Sequence, residues 1–204
     1  MASILSRKKD APAITRPARL SVPRLIVTKR LYLRAIQEHD KGLVKEALSD
    51  PHMYKHYGFR ITEPQHLTEQ MAWYRSLQEE GSGEWWVIRE RNTERAIGAL
   101  GLYDYAADHL RAEVGYWLLP AAQGKGYMQE ACHAILSFCF GELGLHKITA
   151  AVEGENLSST KLLLKMGFEQ EAHLRQEEWK DDRWIDVLIF GRLNPDAEPS
   201  GLHL

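Results

Sequence analysis

The sequence is poor in the features that mark several specialised classes of protein. Only two of its 204 residues are cysteine, which is too few for a small fold held together by disulfides. Its apolar runs, such as residues 96–103, are far shorter than the roughly 18 residues that a membrane-spanning helix needs. With 26 basic and 28 acidic residues, the formal net charge is only −2. We therefore predict neither a membrane partner nor direct binding of nucleic acid.

The two cysteines and the nine histidines show no pattern of a disulfide or of metal ligands. Cys132 and Cys139 are seven residues apart, so on one helix they would share a face but lie two turns apart, too far for a disulfide. No Cys/His spacing fits a zinc site. We expect two reduced core thiols, no metal ion and, because no secretory signal is recognisable at the start, a cytoplasmic protein.

The start of the chain differs in composition from the rest. Residues 1–23 contain five basic side chains, one acid and three prolines, with little apolar periodicity. We expect a flexible basic arm here, and because acids are scarce, a transit peptide is the alternative. The predicted boundaries are 1–23 for the arm, 24–194 for one folded domain and 195–204 for a C-terminal tail. Without residues 1–24 the chain has 20 basic and 27 acidic residues, so the predicted domain is acidic.

The rest of the chain alternates between the periodicities of strands and helices. Alternating or β-branched segments predict seven strands, and apolar residues spaced three or four apart predict four helices. The predicted strands are residues 25–34, 85–89, 96–103, 111–119, 147–152, 168–179 and 183–193. The predicted helices are residues 40–48, 62–80, 126–143 and 156–166. The order β-α-α-β-β-β-α-β-α-β-β predicts one mixed α/β domain.

The turn between the fourth predicted strand and the third predicted helix is the segment that most clearly indicates a binding site. Gly124, Lys125 and Gly126 occupy the position where that helix begins. The N–H groups and the dipole of a helix N-terminus favour an anion, and glycines let a phosphate approach the backbone closely. Neither the Walker A pattern nor the dinucleotide-binding pattern is present. The residues alone leave open a phosphate-binding loop, including that of a nucleotide hydrolase, or a tight turn without a ligand.

Five segments in the correct order resemble the GNAT superfamily of N-acetyltransferases, and within it the Rim-type ribosomal-protein N-terminal acetyltransferases. The segment Gln-Gly-Lys-Gly-Tyr-Met at 123–128 is similar to that family's acyl-CoA pyrophosphate loop, although its last position is usually glycine or alanine. The other four are Thr-Lys-Arg-Leu-Tyr-Leu-Arg at 28–34, Glu-Val-Gly-Tyr-Trp-Leu at 113–118, Asn156 with Ser159, and Lys-Met-Gly-Phe at 165–168. The resemblance covers about residues 25–193.

This resemblance implies the GNAT fold and a site for acetyl-CoA. The fold is a mostly antiparallel seven-stranded sheet, flanked by about four helices, whose fourth and fifth strands splay apart. Acetyl-CoA as co-substrate would lie in that gap and pair with the fourth strand by strand addition. The residues implied to bind it are Leu118, Leu119, Gln123, Gly124, Lys125, Gly126, Tyr127, Met128, Asn156 and Ser159.

The resemblance also implies three side chains for proton transfer. Glu178 is the first candidate for the base that takes a proton from the acceptor amine, and Glu113 is the second. Ser159 is the candidate acid that protonates the departing sulfur. Each has an ordinary structural alternative. Ser159 and Asn156 also suit the start of a helix, Glu178 suits a solvated strand face, and Glu113 suits an ion pair with Arg111 or Lys147.

Aromatic residues around the expected acceptor site have a structural alternative too, which is packing in the core. Tyr54, Tyr57, Phe59, Trp73 and Tyr74 lie in the segment that shapes the acceptor site in the GNAT fold, but aromatic residues at helical spacing usually belong to a core. The consecutive residues Trp85 and Trp86 must point to opposite faces of one strand, so one of them is a candidate for the cleft wall.

The expected reaction is direct attack of an amine on the thioester of acetyl-CoA. An α-amine has a pKa of about 7.7–8.0, against about 10.4 for lysine, so it is partly neutral at cellular pH. By resemblance the acceptor is a protein N-terminus, with a ribosomal protein as the expected partner. The alternatives are acetylation of a small amine, such as a polyamine, an amino acid or an aminoglycoside, and a non-catalytic acyl-CoA sensor. Monomer and homodimer are both compatible with the resemblance.

Overall fold

The computed structural model describes residues 19–55 and 60–196. They form one eight-stranded sheet with five α-helices on its two faces. The strands are β1 Leu25–Val27, β2 Leu31–Ala35, β3 Glu84–Glu90, β4 Ala96–Ala106, β5 Arg111–Leu118, β6 Lys147–Glu153, β7 Glu169–Lys180 and β8 Arg183–Leu193. The helices are α1 Lys41–Ser49, α2 Pro51–Tyr54, α3 Pro64–Glu80, α4 Tyr127–Ser137 and α5 Leu157–Lys165. The mixed α/β class is as predicted.

Two neighbouring strands in the middle of the sheet pair over only part of their length and then separate. The strand order of the sheet is β1-β2-β3-β4-β5-β6-β8-β7, and neighbours are antiparallel except β5 and β6, which are parallel. Only three residue pairs join β5 to β6, and the last of them pairs Glu113 with Thr149. Beyond that point β5 continues to Leu118 and β6 to Glu153 without pairing to each other. The predicted splay is therefore confirmed, and it lies between β5 and β6.

The strand predicted over residues 25–34 is a hairpin of two strands, β1 and β2. The Thr28 hydroxyl accepts a hydrogen bond from the Leu31 N–H at 3.0 Å, and the Thr28 N–H donates to the Leu31 carbonyl at 2.9 Å. These bonds close a tight turn, so the chain reverses where alternation alone predicted a continuous strand. The sheet has eight strands, and the prediction of seven was wrong.

The helices differ from the prediction in number and in one boundary. The additional short helix is α2; the Asp50 carboxylate accepts from the His52 N–H at 2.8 Å, and Pro51 occupies the first position, which suits its fixed φ. The single helix predicted over residues 126–143 is α4 followed by a π-helical turn, Phe138–Glu142. The described part of the chain thus contains five α-helices where about four were predicted.

Two hydrophobic layers cover the two faces of the sheet, and alternation along β3 contributes to both. Trp86 belongs to the layer under α4 and α5, together with Cys132 and Cys139. Trp85 belongs to the layer under α1 and α3. Both cysteines are buried and free, as predicted, and burial raises the pKa of Cys132 to about 12. Protonated thiols in this position pack as small apolar side chains.

The packed domain begins before residue 24. Leu20 and Val22 pack against the core, and the Pro23 carbonyl accepts a hydrogen bond from the Trp86 indole at 2.9 Å. The last residues of the predicted basic arm therefore belong to the domain. The rest of that arm at 1–18, residues 197–204 of the predicted tail, Tyr57 and Phe59 lie outside the described residues. None of the helices in the described ranges is long and apolar enough to cross a membrane.

The indole ring of Trp85 lies across two neighbouring strands because both carry glycine there. A Cβ added at Gly101 on β4 would overlap that ring. A Cβ added at Gly115 on β5 would lie 3.3 Å from the far end of the ring and 3.1 Å from the ring of Tyr103. The indole therefore extends from β3 across β4 to β5, where the gap begins.

Gly101→Ala is expected to lower the free energy of unfolding by about 1–3 kcal/mol or more, because the added methyl group forces a buried ring to move. Urea denaturation followed by tryptophan fluorescence measures the change. Gly42→Ala is the matched control, since a Cβ at this helical position has nothing within 4 Å and alanine should leave stability unchanged or slightly raised. Equal stability of the two variants would contradict this packing.

Candidate active site

The parted strands β5 and β6 enclose a cleft of about 260 Å³. Residues 114–116 of β5 and 150–153 of β6 form two of its walls. Helix α5 with the residue before it contributes Ser159 and Asn156, and β7 contributes Glu178. Three of the predicted site residues, which come from two separate elements, thus line one cleft.

The edge of β5 that faces the gap has backbone groups without a strand partner. In an antiparallel pair, successive residues bond alternately towards the neighbouring strand and away from it. Leu119 bonds towards β4, since its N–H donates to the Ile97 carbonyl at 2.9 Å. Leu118 and Tyr116, at the alternate positions, therefore turn their N–H groups towards the gap. A bound extended chain can pair with such groups.

The hydrogen bonds of Leu118 and Leu119 show which of their backbone groups already have a partner within the protein. The N–H of Leu119 donates to the Ile97 carbonyl and is therefore not open to a ligand, while the Leu119 carbonyl accepts one hydrogen bond from the Ala122 N–H at 2.9 Å. The carbonyl of Leu118 accepts from the Gln123 side-chain amide at 2.9 Å. Gln123 thus connects the following loop to the end of β5 by a hydrogen bond, and the Leu118 N–H still faces the gap.

The loop after β5 presents the N-terminus of α4. Gly124 and Gly126 have φ of +73° and +74°, a left-handed conformation that glycine adopts without strain. Gly126 is the N-cap residue just before α4, and no side chain caps this end of the helix. A Cβ at Gly124 would have nothing within 4 Å, so the backbone is open there. With Lys125 between the glycines, this end of α4 suits an anion.

The last two residues of the loop motif have side chains that serve packing. Met128 is buried in the core layer under α4. The Tyr127 hydroxyl donates to the Glu90 carboxylate at 2.7 Å, and this bond is the main reason why the pKa of Glu90 lies below its usual value. Their backbone N–H groups lie in the first turn of α4 and have no acceptor within the helix. A ligand would therefore use the backbone of Tyr127 and Met128.

A hydrogen-bond network from the β1–β2 turn braces this loop. Arg30 donates to the Glu130 carboxylate through Nε at 2.5 Å and through its backbone N–H at 2.7 Å, and the Thr28 hydroxyl donates to it at 2.6 Å. Arg30 also donates to the Lys125 carbonyl at 3.0 Å and lies 4.6 Å above the Tyr127 ring. Burial alone would raise the pKa of Glu130, but the bonds from Thr28 and Arg30 outweigh it and lower that pKa. The Thr-Lys-Arg motif at 28–30 therefore fixes the loop, a role that its sequence did not indicate.

Ser159 and Asn156 meet at the start of α5. The Asn156 side chain caps the helix by accepting from the Ser159 N–H at 3.1 Å, so the helix-capping alternative for Asn156 is observed. Its side chain also lines the cleft. The Ser159 hydroxyl lies 2.7 Å from the hydroxyl of Tyr116 on β5. Sequence reasoning missed Tyr116 because no local pattern reports a contact between residues 43 positions apart.

Glu178 reaches the cleft after a bulge in β7. Leu174 pairs with Val187 and Glu178 pairs with Ile185, so three residues of β7 lie opposite a single residue of β8, Asp186. Such bulges bend a strand and re-aim the side chains that follow. The face on which Glu178 lies therefore does not follow from simple alternation along β7.

Asp186 holds this bulge together. Its carboxylate accepts from the backbone N–H of Gln176, whose φ is +53°, at 2.9 Å. Its second oxygen lies 2.6 Å from His173 Nε2. These two contacts, first the Gln176 N–H and then His173, hold the pKa of Asp186 below its usual value. His173 thus supports the bulge.

Glu113 lies at the closed end of the gap, where the ladder between β5 and β6 stops. It accepts a hydrogen bond from the Tyr103 hydroxyl at 2.5 Å, and burial, together with Glu113, raises the pKa of Tyr103. The ion pair considered for Glu113 with Lys147 is not formed, since Lys147 pairs with Glu171 at 2.6 Å. Tyr103 lines the cleft and Glu113 lies behind it.

Aromatic side chains form the remaining wall of the cleft. Trp73, Trp85 and Tyr103 line it, and the Trp73 ring centroid lies 5.9 Å from each of the other two. Of the two consecutive tryptophans of β3, Trp85 is therefore the one at the cleft. Glu153, which also lines the cleft, is paired with Lys180. In the described residues, no group of three or more His, Cys, Asp or Glu is arranged to hold a metal ion.

Known proteins share both the sequence pattern and the fold. Residues 30–169 match the family model described as an acetyltransferase (GNAT) domain. The uncharacterized N-acetyltransferase YoaA of Bacillus subtilis is 31% identical over 172 residues, which cover 84% of this chain and 97% of that protein.

Two solved structures share the fold over most of their length. A spermidine N-acetyltransferase from Vibrio cholerae, solved with CoA and spermine, has a TM-score of 0.74 at 24% identity, and the match covers 82% of this chain and 97% of that chain. A ribosomal-protein alanine acetyltransferase from Vibrio fischeri has a TM-score of 0.73 at 22% identity, and the match covers 86% and 99%. At these identities the two structures establish the fold alone.

Asp186→Asn is expected to lower the melting temperature at neutral pH, because a neutral amide holds the bulge less well. The pKa of Asp186 is depressed in the folded state, so its contribution is complete above about pH 4, near the unfolded pKa, and is lost as the pH falls through the folded pKa. Melting curves of both proteins between neutral and acidic pH measure this. Asp108→Asn, beside His109 in an exposed turn, is the control and should leave the melting temperature at neutral pH unchanged. A constant difference for Asp186→Asn at every pH would contradict the assignment.

Proposed function

The chain belongs to the GNAT acetyltransferase family and is an N-acetyltransferase, and we propose that it transfers acetyl from acetyl-CoA to the N-terminal α-amine of a protein, with ribosomal proteins as the acceptor class. One observation carries the proposal. The gap between β5 and β6 combines an unpaired strand edge with Glu178 and Ser159, two side chains suited to proton transfer, in one cleft.

The cleft and the loop beside it fit the parts of acetyl-CoA. The N–H groups of Tyr116 and Leu118 would pair with the extended pantetheine arm, as an added strand pairs with a sheet edge. Lys125 and the N–H groups of residues 124–128 would hold the pyrophosphate. The Asn156 side chain is close enough to the gap to bond the arm as well. The CoA bound to the relative from Vibrio cholerae supports this assignment.

The residues around the gap would divide the chemistry of amine acetylation among them. Glu178 would take a proton from the attacking amine, directly or through a water molecule. An N–H of the β5 edge would stabilise the negative charge that develops on the carbonyl oxygen. Ser159 would donate a proton to the sulfur as the carbon–sulfur bond breaks. The Glu178 side chain has no hydrogen bond or ion pair within the described residues, whereas Glu113 already accepts one from Tyr103. We therefore propose Glu178 before Glu113 as the base.

The charges at the cleft favour an acceptor that carries a single amine. Glu153 is paired with Lys180, and Glu113 is bonded to Tyr103, which leaves Glu178 as the uncommitted carboxylate among the described residues that line the cleft. A polyamine, with several positive charges, is best recognised by several free carboxylates. The aromatic wall of Trp73, Trp85 and Tyr103 suits the side chain of a terminal residue instead.

A small amine is the second candidate acceptor. The solved relative from Vibrio cholerae that acts on spermidine was crystallised with spermine, and residues 25–204 carry more acids than bases, which attracts cations weakly. For the location, we propose the cytoplasm, because two buried free thiols suit a reducing compartment.

Release of thiol from acetyl-CoA, measured across N-terminal peptides and small amines, tests the proposed function. We expect turnover with acetyl-CoA and a value of kcat/KM for the best peptide that exceeds that for spermidine at least tenfold. The reverse ranking would replace the N-terminal acceptor with a small amine. Tight binding of CoA without turnover on any acceptor would identify a sensor and contradict the proposal.

Glu178→Gln is expected to lower kcat by about 10²-fold, the usual contribution of a general base. Glu113→Gln should have a much smaller effect. Glu177→Gln, one residue earlier on the same strand, is the matched control and should leave kcat unchanged. A larger loss in Glu113→Gln than in Glu178→Gln would exchange the two roles, and losses below tenfold in both would exclude a carboxylate base.

A further inference from the structure

The hydroxyl groups of Tyr116 and Ser159 lie 2.7 Å apart at the cleft, and either one can be the donor. In one arrangement Ser159 donates to Tyr116, and its proton is engaged in that bond. In the other, Tyr116 donates to Ser159, and the serine proton is free to point elsewhere. The direction of this one hydrogen bond decides whether Ser159 can give its proton to a group in the cleft.

The surroundings of Tyr116 favour donation from the phenol to the serine. The ring also lines a small pocket whose other walls are apolar side chains, among them Val114, Leu163 and Phe168, and the thiol of Cys132. If Ser159 were the donor, the Tyr116 proton would face this pocket or water in the open cleft. A bound acyl-CoA displaces that water, and an unpaired hydroxyl donor then carries a cost in free energy.

Ser159 itself is fixed in position by a separate bond. Its backbone N–H donates to the Asn156 side chain at 3.1 Å, in the first turn of α5. The remaining freedom at Ser159 is the rotation of its side chain and hydroxyl, and the hydrogen bond to Tyr116 restricts that rotation.

The Tyr116 hydroxyl stays protonated and can therefore donate a hydrogen bond. Burial raises its pKa above the usual value, and the hydrogen bond with Ser159 offsets this only in part. Tyr116 therefore keeps its proton across the pH range in which an α-amine acceptor is partly neutral. It is suited to donate a hydrogen bond and unsuited to act as a base.

We propose that Tyr116 is a positioning residue: its phenol donates a hydrogen bond to Ser159 Oγ and turns the serine proton towards the leaving sulfur of the acyl donor. This inference rests on the proposed function. The nitrogen–carbon bond forms and the carbon–sulfur bond breaks; the sulfur receives the serine proton, and the Tyr116 hydrogen bond stabilises the negative charge left on Oγ. Glu178 passes the proton that it took from the amine to water, and water returns one proton to the Ser159 oxygen. One proton is therefore released and one is taken up, so the protons balance.

Steady-state kinetics of Tyr116→Phe, Ser159→Ala and the double variant test this role. We expect Tyr116→Phe to lower kcat about 10- to 100-fold, the effect of losing a hydrogen bond to a developing charge, while the KM for acetyl-CoA changes less than twofold. The double variant should be no slower than Ser159→Ala, because the phenol acts through the serine. An acyl donor with a more acidic thiol should restore part of the rate in both single variants, which a purely structural role would not allow.

Tyr32→Phe, on β2, is the control and should keep the wild-type kcat. All rates are compared at a temperature where melting curves show every variant to be folded. Independent, multiplying losses in the double variant would overturn the inference, as would an unchanged kcat in Tyr116→Phe. A slow Tyr116→Phe beside a fully active Ser159→Ala would overturn it too, since Tyr116 would then act on the substrate directly. An inactive wild type would remove the proposed function itself, and is thereby distinguished from a failure of Tyr116 alone.

Discussion

The structure depends on one feature of its sheet, the parting of β5 and β6 after three residue pairs. A strand edge in the middle of a sheet normally satisfies its N–H and carbonyl groups with a neighbour. Here the N–H groups of Tyr116 and Leu118 have no partner in β6, so they must be satisfied by water or by an extended ligand. The strands are held open by packing on both sides, since the Trp85 ring reaches Gly115 on one face and Tyr116 packs against the α4 and α5 layer on the other.

Each chemical group of the site is fixed by a support that lies outside the gap. Arg30 and Glu130 brace the loop at the start of α4. Asp186 holds the bulge that precedes Glu178. The supports come from distant parts of the chain, so the site is rigid only when the whole sheet is formed. This arrangement suits the proposed reaction, in which Glu178 and Ser159 must keep fixed positions around one thioester.

Local sequence patterns predicted most of the fold, and they also predicted the site residues that lie in short motifs. The Gly-Lys-Gly turn, the strand before it and the Asn156 cap are local features, and the structure contains each of them. The hairpin at Thr28 escaped prediction because a three-residue turn interrupted an alternation that otherwise continued. The bond from the Leu119 N–H to Ile97 was not predictable, because the sequence does not reveal which residues of a strand bond to their neighbour. Tyr116 and Asp186 were missed because their partners, Ser159 and His173, meet them only in the folded sheet.

Amide hydrogen exchange with and without CoA tests the central claim most directly, because it reports on single N–H groups of the β5 edge. CoA is expected to slow exchange at Tyr116 and Leu118 and across residues 124–128. The Leu119 amide, already bonded to Ile97, should be protected in both states. Unchanged exchange at Tyr116 and Leu118 under saturating CoA would show that the gap between β5 and β6 is not the site of the acyl donor.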